Sequence, residues 1–102
     1  MADFVKVATV DQIPKGAMLK ADKNGKKILV ANVGGKFYAM DRICGHKGGP
    51  LDEGELDGSV VACPWHGSKF DVKGGKLKQG PATKDQASYE VEVRGKDILV
   101  KL

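Results

Sequence analysis

Every cysteine and histidine of this chain, two of each, lies in one stretch near its middle. They stand as Cys44-Gly45-His46 and Cys63-Pro64-Trp65-His66, spacings C-x-H and C-x-x-H, with 16 residues between His46 and Cys63. Each segment offers one thiolate and one imidazole, and two such loops close a four-ligand cage around one inorganic centre. Structural zinc takes that donor set, although zinc modules usually gather their cysteines on one knuckle (C-x₂₋₄-C) and their histidines on another (H-x₃₋₅-H). An asymmetric two-iron centre takes it too, with both cysteines on one iron and both histidines on the other. Loops that each carry one ligand of each kind, in the same order, suit the second better. A third arrangement is a disulfide between Cys44 and Cys63 with bystander histidines, which a reducing compartment disfavours.

The two segments resemble the Rieske motif C-x-H…C-x-x-H, down to Pro64 after the second cysteine and Gly67-Ser68 after the second histidine. Less specifically, Gly80-Pro81-Ala82 is similar to that family's proline loop. The resemblance is detailed over the middle of the chain and only a β pattern in the flanks. It implies one [2Fe-2S] cluster whose metal ligands are Cys44, His46, Cys63 and His66. It further implies that Pro81 covers the cluster and that Ser68 donates its hydroxyl to cluster sulfur; Trp65, between Cys63 and His66, reads as a packing residue shielding the cluster instead of a redox participant. The histidine edges would lie at an exposed tip and serve as the electron port.

The implied function is that of a soluble one-electron carrier, not an enzyme, passing electrons from a reductase to an oxygenase or another redox acceptor. A Rieske-like small subunit of a larger reductase such as nitrite reductase is the alternative within the family, and a zinc-stabilised interaction module the lesser one outside it. Ferric ions, sulfides and two thiolates sum to a neutral oxidised centre, so adding an electron costs less than in a four-thiolate cluster. The imidazole protons then make the potential fall with pH once an oxidised-state histidine deprotonates. Gly45, Gly48, Gly49 and Gly67 let backbone N–H donors approach cluster sulfurs without side chains in the way, besides serving as turn residues.

The chain departs from its respiratory relatives at two places. Those carry two further cysteines that form a disulfide bracing the loops, where this chain has Gly49 and Trp65. They also place a sulfur-bonding tyrosine where Phe70 stands, while Ser68 is retained. Losing a donor to sulfur destabilises the reduced state. The expectation is a potential in the lower part of the family range of about −150 to +300 mV.

The elements that must position these loops read as short strands. Phe4–Ala8, Lys36–Met40 and Tyr89–Val93 are candidates, the last alternating cleanly, and Ile28–Ala31 and Ile98–Val100 are short apolar runs. Asn24-Gly25, Gly34-Gly35, Gly74-Gly75 and Gly95 punctuate them as hairpin turns. No window sustains a helical period, and no internal repeat is evident. The expected fold is all-β: an antiparallel β-sandwich or barrel base with an inserted small β cluster-binding subdomain. The whole of 1–102 is expected to be a single Rieske domain, with its base at about 1–41 and 83–102 and the subdomain at about 42–82.

At 102 residues the chain has no room for a separate mononuclear-iron domain, which sets aside an oxygenase catalytic subunit. Its net charge of +4 comes from 17 basic against 13 acidic residues. All but two of the basic residues are lysines, mostly interleaved with acids, without the basic helix or aromatic–basic stripe of nucleic-acid binders. Lys47 and Lys69 flank the ligand histidines; they read first as solvated surface lysines, with steering toward an acidic partner face as the lesser alternative. No apolar stretch is long enough for a membrane span, and the N-terminus lacks a signal-peptide apolar region, so no membrane association and a cytoplasmic location are expected. Oligomeric state is left open by the sequence.

Overall fold

The computed structural model describes residues 4–44, 48–65 and 67–102. Eleven strands are found among them: β1 (Phe4–Thr9), β2 (Met18–Lys23), β3 (Lys26–Val33), β4 (Lys36–Asp41), β5 (Glu55–Asp57), β6 (Val60–Ala62), β7 (Lys69–Asp71), β8 (Lys76–Gln79), β9 (Ser88–Tyr89), β10 (Val91–Arg94) and β11 (Asp97–Lys101). They form three antiparallel sheets in the orders β1-β11-β10, β2-β3-β4-β9 and β5-β6-β7-β8. Among the described residues the helical content is two short 3₁₀ turns, Val10–Gln12 and Leu51–Glu53, and no helix is long and apolar enough to cross a membrane.

The middle sheet grows from tight turns. Asn24 and Gly25 both take positive φ, 52° and 75°, as do Gly34 and Gly35 at 61° and 98°. Two consecutive left-handed residues make the turn whose twist matches antiparallel strands, and asparagine and glycine reach it at least cost. The turns set β2, β3 and β4 in continuous register from Met18 opposite Ala31 to Val33 opposite Lys36.

β3 explains why the fold holds together. Residues Ile28 to Asn32 are all buried, without the polar alternation of a half-exposed strand. Leu29 and Ala31, with Met40 of β4, face one core; Ile28 and Val30, with Ala39, face the other. The second core is completed by Ala8, Ile98 and Val100 of the β1-β11-β10 sheet. The first is completed by Val61 and Phe70, which lie opposite each other on β6 and β7, together with Cys44, Leu51 and Cys63. Full burial of Phe70 contributes about 2–3 kcal/mol.

The strands expected at 4–8, 28–31, 36–40 and 98–100 are present, each longer than expected and β3 twice as long. The single strand expected over Tyr89–Val93 is instead two. β9 pairs with β4 in the middle sheet, whereas β10 pairs with β11 in another. Glu90 is the corner, and its carbonyl accepts the N–H of Lys101 at 2.9 Å. Alternation continues across the corner because both halves are half-buried strands, so period alone does not reveal the change of sheet. The sheet β5–β8 lies wholly within 42–82.

Candidate metal centre

Cys44 follows β4, and Cys63 stands between β6 and β7. Their loops are closed by the same backbone pattern. Cys44 N–H donates to Gly49 O at 2.8 Å and Gly48 N–H donates back to Cys44 O at 2.8 Å. Cys63 N–H donates to Ser68 O at 2.7 Å and Gly67 N–H donates back to Cys63 O at 3.1 Å. The fifth residue of each loop is a glycine at nearly the same positive φ, 78° for Gly48 and 79° for Gly67. Cys44, Gly48 and Gly49 of one loop thus repeat the backbone pattern of Cys63, Gly67 and Ser68 in the other. Its sequence signal is only the Cys-to-Gly spacing, which is why no repeat was evident beforehand.

The two loops meet. Both thiols are unbonded and buried, Cys44 2% and Cys63 4% exposed, and both belong to the core between the middle and small sheets. A Cβ on Gly49 would stand 2.6 Å from the Cys63 Sγ and 3.3 Å from the Trp65 Cβ. The first loop therefore approaches the second as closely as only a glycine allows. The disulfide arrangement is not adopted. His46 and His66, with Gly45 and Lys47, lie outside the described residues. Among the described residues no group of three or more metal-ligating side chains occurs.

Ser68 is completely buried, and its Oγ accepts the Ala82 N–H at 3.0 Å. A hydroxyl that accepts there still has its own proton to give, and among the described residues no acceptor takes it. Ala82 is buried while Pro81 is exposed, so the Gly80-Pro81-Ala82 segment is pinned from inside with its proline outward. Trp65 stands two residues after Cys63. It is the most exposed large apolar side chain among the described residues, at 57%, with only its Cβ and Cγ close to Gly49. Lys69 is exposed on β7.

Supports that sequence reasoning missed lie one layer out. Arg42, two residues before Cys44, grips Asp22 with Nε to Oδ1 at 3.0 Å and Nη2 to Oδ2 at 3.1 Å. Its Nη1 lies 3.7 Å from Asp52 Oδ1, a buried oxygen without a hydrogen-bond partner among the described residues. The bond from Arg42 is the largest cause holding the Asp22 carboxyl below its usual range, and the same bond raises the guanidinium. Tyr89 Oη donates to Asp41 Oδ1 at 2.6 Å, and the Lys26 ammonium lies 5.2 Å from the centre of the Tyr89 ring. Burial first, and then the bond to Asp41, push the Tyr89 phenol up to about 12. No sequence spacing announces any of these pairs, since their members lie far apart in the chain.

Three small antiparallel sheets thus carry two matched thiol loops. The family model for the Rieske [2Fe-2S] domain matches residues 3–90. The biphenyl dioxygenase ferredoxin subunit of Pseudomonas sp. (strain KKS102) is 38% identical over 98 residues, covering 95% of this chain and 90% of that protein. The ferredoxin of carbazole 1,9a-dioxygenase from Nocardioides aromaticivorans IC177 superposes with a TM-score of 0.92 at 34% identity, covering 96% of each chain. A chain in a complex of reduced oxygenase and oxidised ferredoxin of carbazole 1,9a-dioxygenase superposes with a TM-score of 0.91 at 33% identity, covering 96% of this chain and 92% of that one. The chain belongs to the Rieske [2Fe-2S] domain family. It is an electron-transfer protein and not itself an enzyme.

Proposed function

We propose that this chain is a soluble, cytoplasmic one-electron carrier that holds one [2Fe-2S] cluster on Cys44, His46, Cys63 and His66. Electrons enter from a reductase and leave to an oxygenase. Residues 42–82 form the cluster-binding part on a base built from 1–41 and 83–102. The observation that carries this reading is the matched pair of loops, with two free buried thiols meeting across Gly49. The donor set fits: thiolates kept from water, a close approach that a Cβ would fill, and a buried Ser68 hydroxyl with a proton to give. When bound, the cluster supplies a reversible one-electron couple.

The chain's own groups do the rest. Burial of Cys44 and Cys63 keeps solvent from the sulfurs, and Ser68 favours the reduced state by donating a hydrogen bond. The oxygenase as acceptor is supported by the complex containing the ferredoxin-like neighbour and by the dioxygenase systems named for the relatives. The purified protein should be coloured, with two irons and two acid-labile sulfides per chain. His46→Ala and His66→Ala should each abolish the reduced-state electron paramagnetic resonance signal of the wild type. A colourless protein holding one zinc would refute the cluster, and retention of an unchanged signal in both variants would refute the histidines.

A further inference from the structure

Gln86 lies on the segment that returns from the small sheet to the middle one, between β8 and β9, and is 8% exposed. Its side-chain nitrogen donates to two carbonyls, Ile43 O at 2.8 Å and Asp41 O at 3.3 Å. Two acceptors on one amide group require its NH₂ end there, so the side-chain orientation is fixed by chemistry. Its backbone N–H donates to Gly75 O at 2.7 Å, and a Cβ on Gly75 would stand 2.1 Å from the Gln86 carbonyl oxygen. The next residue accepts the Asp41 N–H on its own carbonyl, Ala87 O, at 2.9 Å.

These contacts join two parts of the molecule at one point. Residues 41–43 are the lead into Cys44, and both backbone groups of Arg42 are paired: its N–H goes to Lys27 O at 3.1 Å, and its carbonyl accepts the Leu51 N–H at 2.7 Å. The carbonyls on either side of Arg42, those of Asp41 and Ile43, are the two that Gln86 serves. Gly75 lies in the turn between β7 and β8, and β7 pairs with β6, the strand that runs into Cys63. The two thiols share no covalent bond, so the placing of one loop against the other depends on contacts like these. A buried glutamine costs free energy unless it is paired, and this one is paired to the lead of one loop and the hairpin behind the other.

We propose that Gln86 is a positioning residue, a clasp that fixes the Cys44 loop against the sheet carrying Cys63. Its significance for the cluster rests on Cys44 being a ligand; the clasp itself does not. The test uses the iron-loaded protein and Gln86→Leu, which keeps the volume and removes the donor, with Gln86→Met read in the same way should the first fail to fold. Hydrogen–deuterium exchange followed by mass spectrometry is compared for the peptide spanning 41–51 and for β1 and β11. Two lost hydrogen bonds of ordinary strength predict exchange about thirtyfold faster in 41–51, with β1 and β11 unchanged. The reduced-state resonance of the variant should broaden as the ligand loop samples more positions. Unchanged exchange in 41–51, or an equal rise throughout the chain, overturns the clasp. Iron and sulfide content of the wild type reports separately on the ligand set, so the two failures are distinguishable.

Discussion

The buried hydroxyl of Ser68 accepts the Ala82 N–H at 3.0 Å, and this bond ties the Cys63 loop to the segment that carries Pro81. One atom therefore has two duties. Its lone pair holds that segment in place, and its proton remains to be given to an acceptor. Ser68→Ala removes both and strands the Ala82 N–H in the interior. The expected outcome is a loss of about 1–3 kcal/mol in stability, measured by denaturant unfolding, and a lower reduction potential, measured by direct electrochemistry. Lost stability at an unchanged potential would assign Ser68 to the segment alone.

Gly54 is the position where the backbone leaves no room. A Cβ there would lie 1.9 Å from the Ala62 carbonyl oxygen and 3.2 Å from Pro64 Cδ, the two residues on either side of Cys63. Backbone cannot yield as a flexible side chain can. Gly54→Ala should cost at least about 1–3 kcal/mol by overpacking and should weaken cluster retention, because the displaced strand end carries Cys63. Iron loss to a chelator, timed for wild type and variant, measures the second effect. Equal rates would mean that the chain absorbs the methyl away from the Cys63 loop.

How much of this was legible beforehand follows from what each feature depends on. Cys44, His46, Cys63 and His66 stood out because rare residue types at close spacing are a local signal. The β1, β3, β4 and β11 strands were legible from apolar runs and their glycine turns. β5 to β8 were not delimited, since three or four residues hold too little of any period. Ser68 was picked out by resemblance, but its bond to Ala82, 14 residues on, was not. The roles of Gln86 and Arg42 are wholly tertiary: their partners are Asp41 and Ile43 carbonyls for one and Asp22 for the other. The exposure of Trp65 was not legible, because a side chain's direction depends on how its loop turns.

Arg42 is expected to matter more than its salt bridge with Asp22 suggests. Asp22 is half exposed, but the Arg42 side chain is only 13% exposed and lies beside the buried, unbonded Oδ1 of Asp52. Arg42→Ala should cost about 1–2 kcal/mol by leaving that carboxylate without its nearby cation. Asp22→Ala should cost much less, as exposed pairs do. Adding Asp52→Asn to Arg42→Ala should recover part of the loss. Asp22 also has a pH signature. Its carboxyl is lowered, chiefly by the hydrogen bond from Arg42. The pair's contribution is complete above the ordinary value of 3.8 and fades as pH falls through the lowered one. Equal costs for Arg42→Ala and Asp22→Ala in urea unfolding would remove Asp52 from the account.

Tyr89 supplies a dependence at the alkaline end. Folding holds its phenol neutral, raising it from an ordinary 10 to about 12, first by burial and then through the bond it donates to Asp41. Between those values the unfolded chain has released the proton and the folded chain retains it, so stability falls as pH rises. The contribution is fully present below pH 10 and is lost as pH passes through about 12. Tyr89→Phe deletes the titrating group and the bond together. The variant should be less stable than wild type at pH 9, and the gap between their urea midpoints should narrow steadily toward pH 12. A gap that stays constant over that range would mean that the phenolate is tolerated beside Asp41, which the 2.6 Å contact between Oη and the carboxylate argues against. The absorbance titration of the folded protein gives an independent reading, since one tyrosine should ionise late in wild type and that component should vanish in Tyr89→Phe.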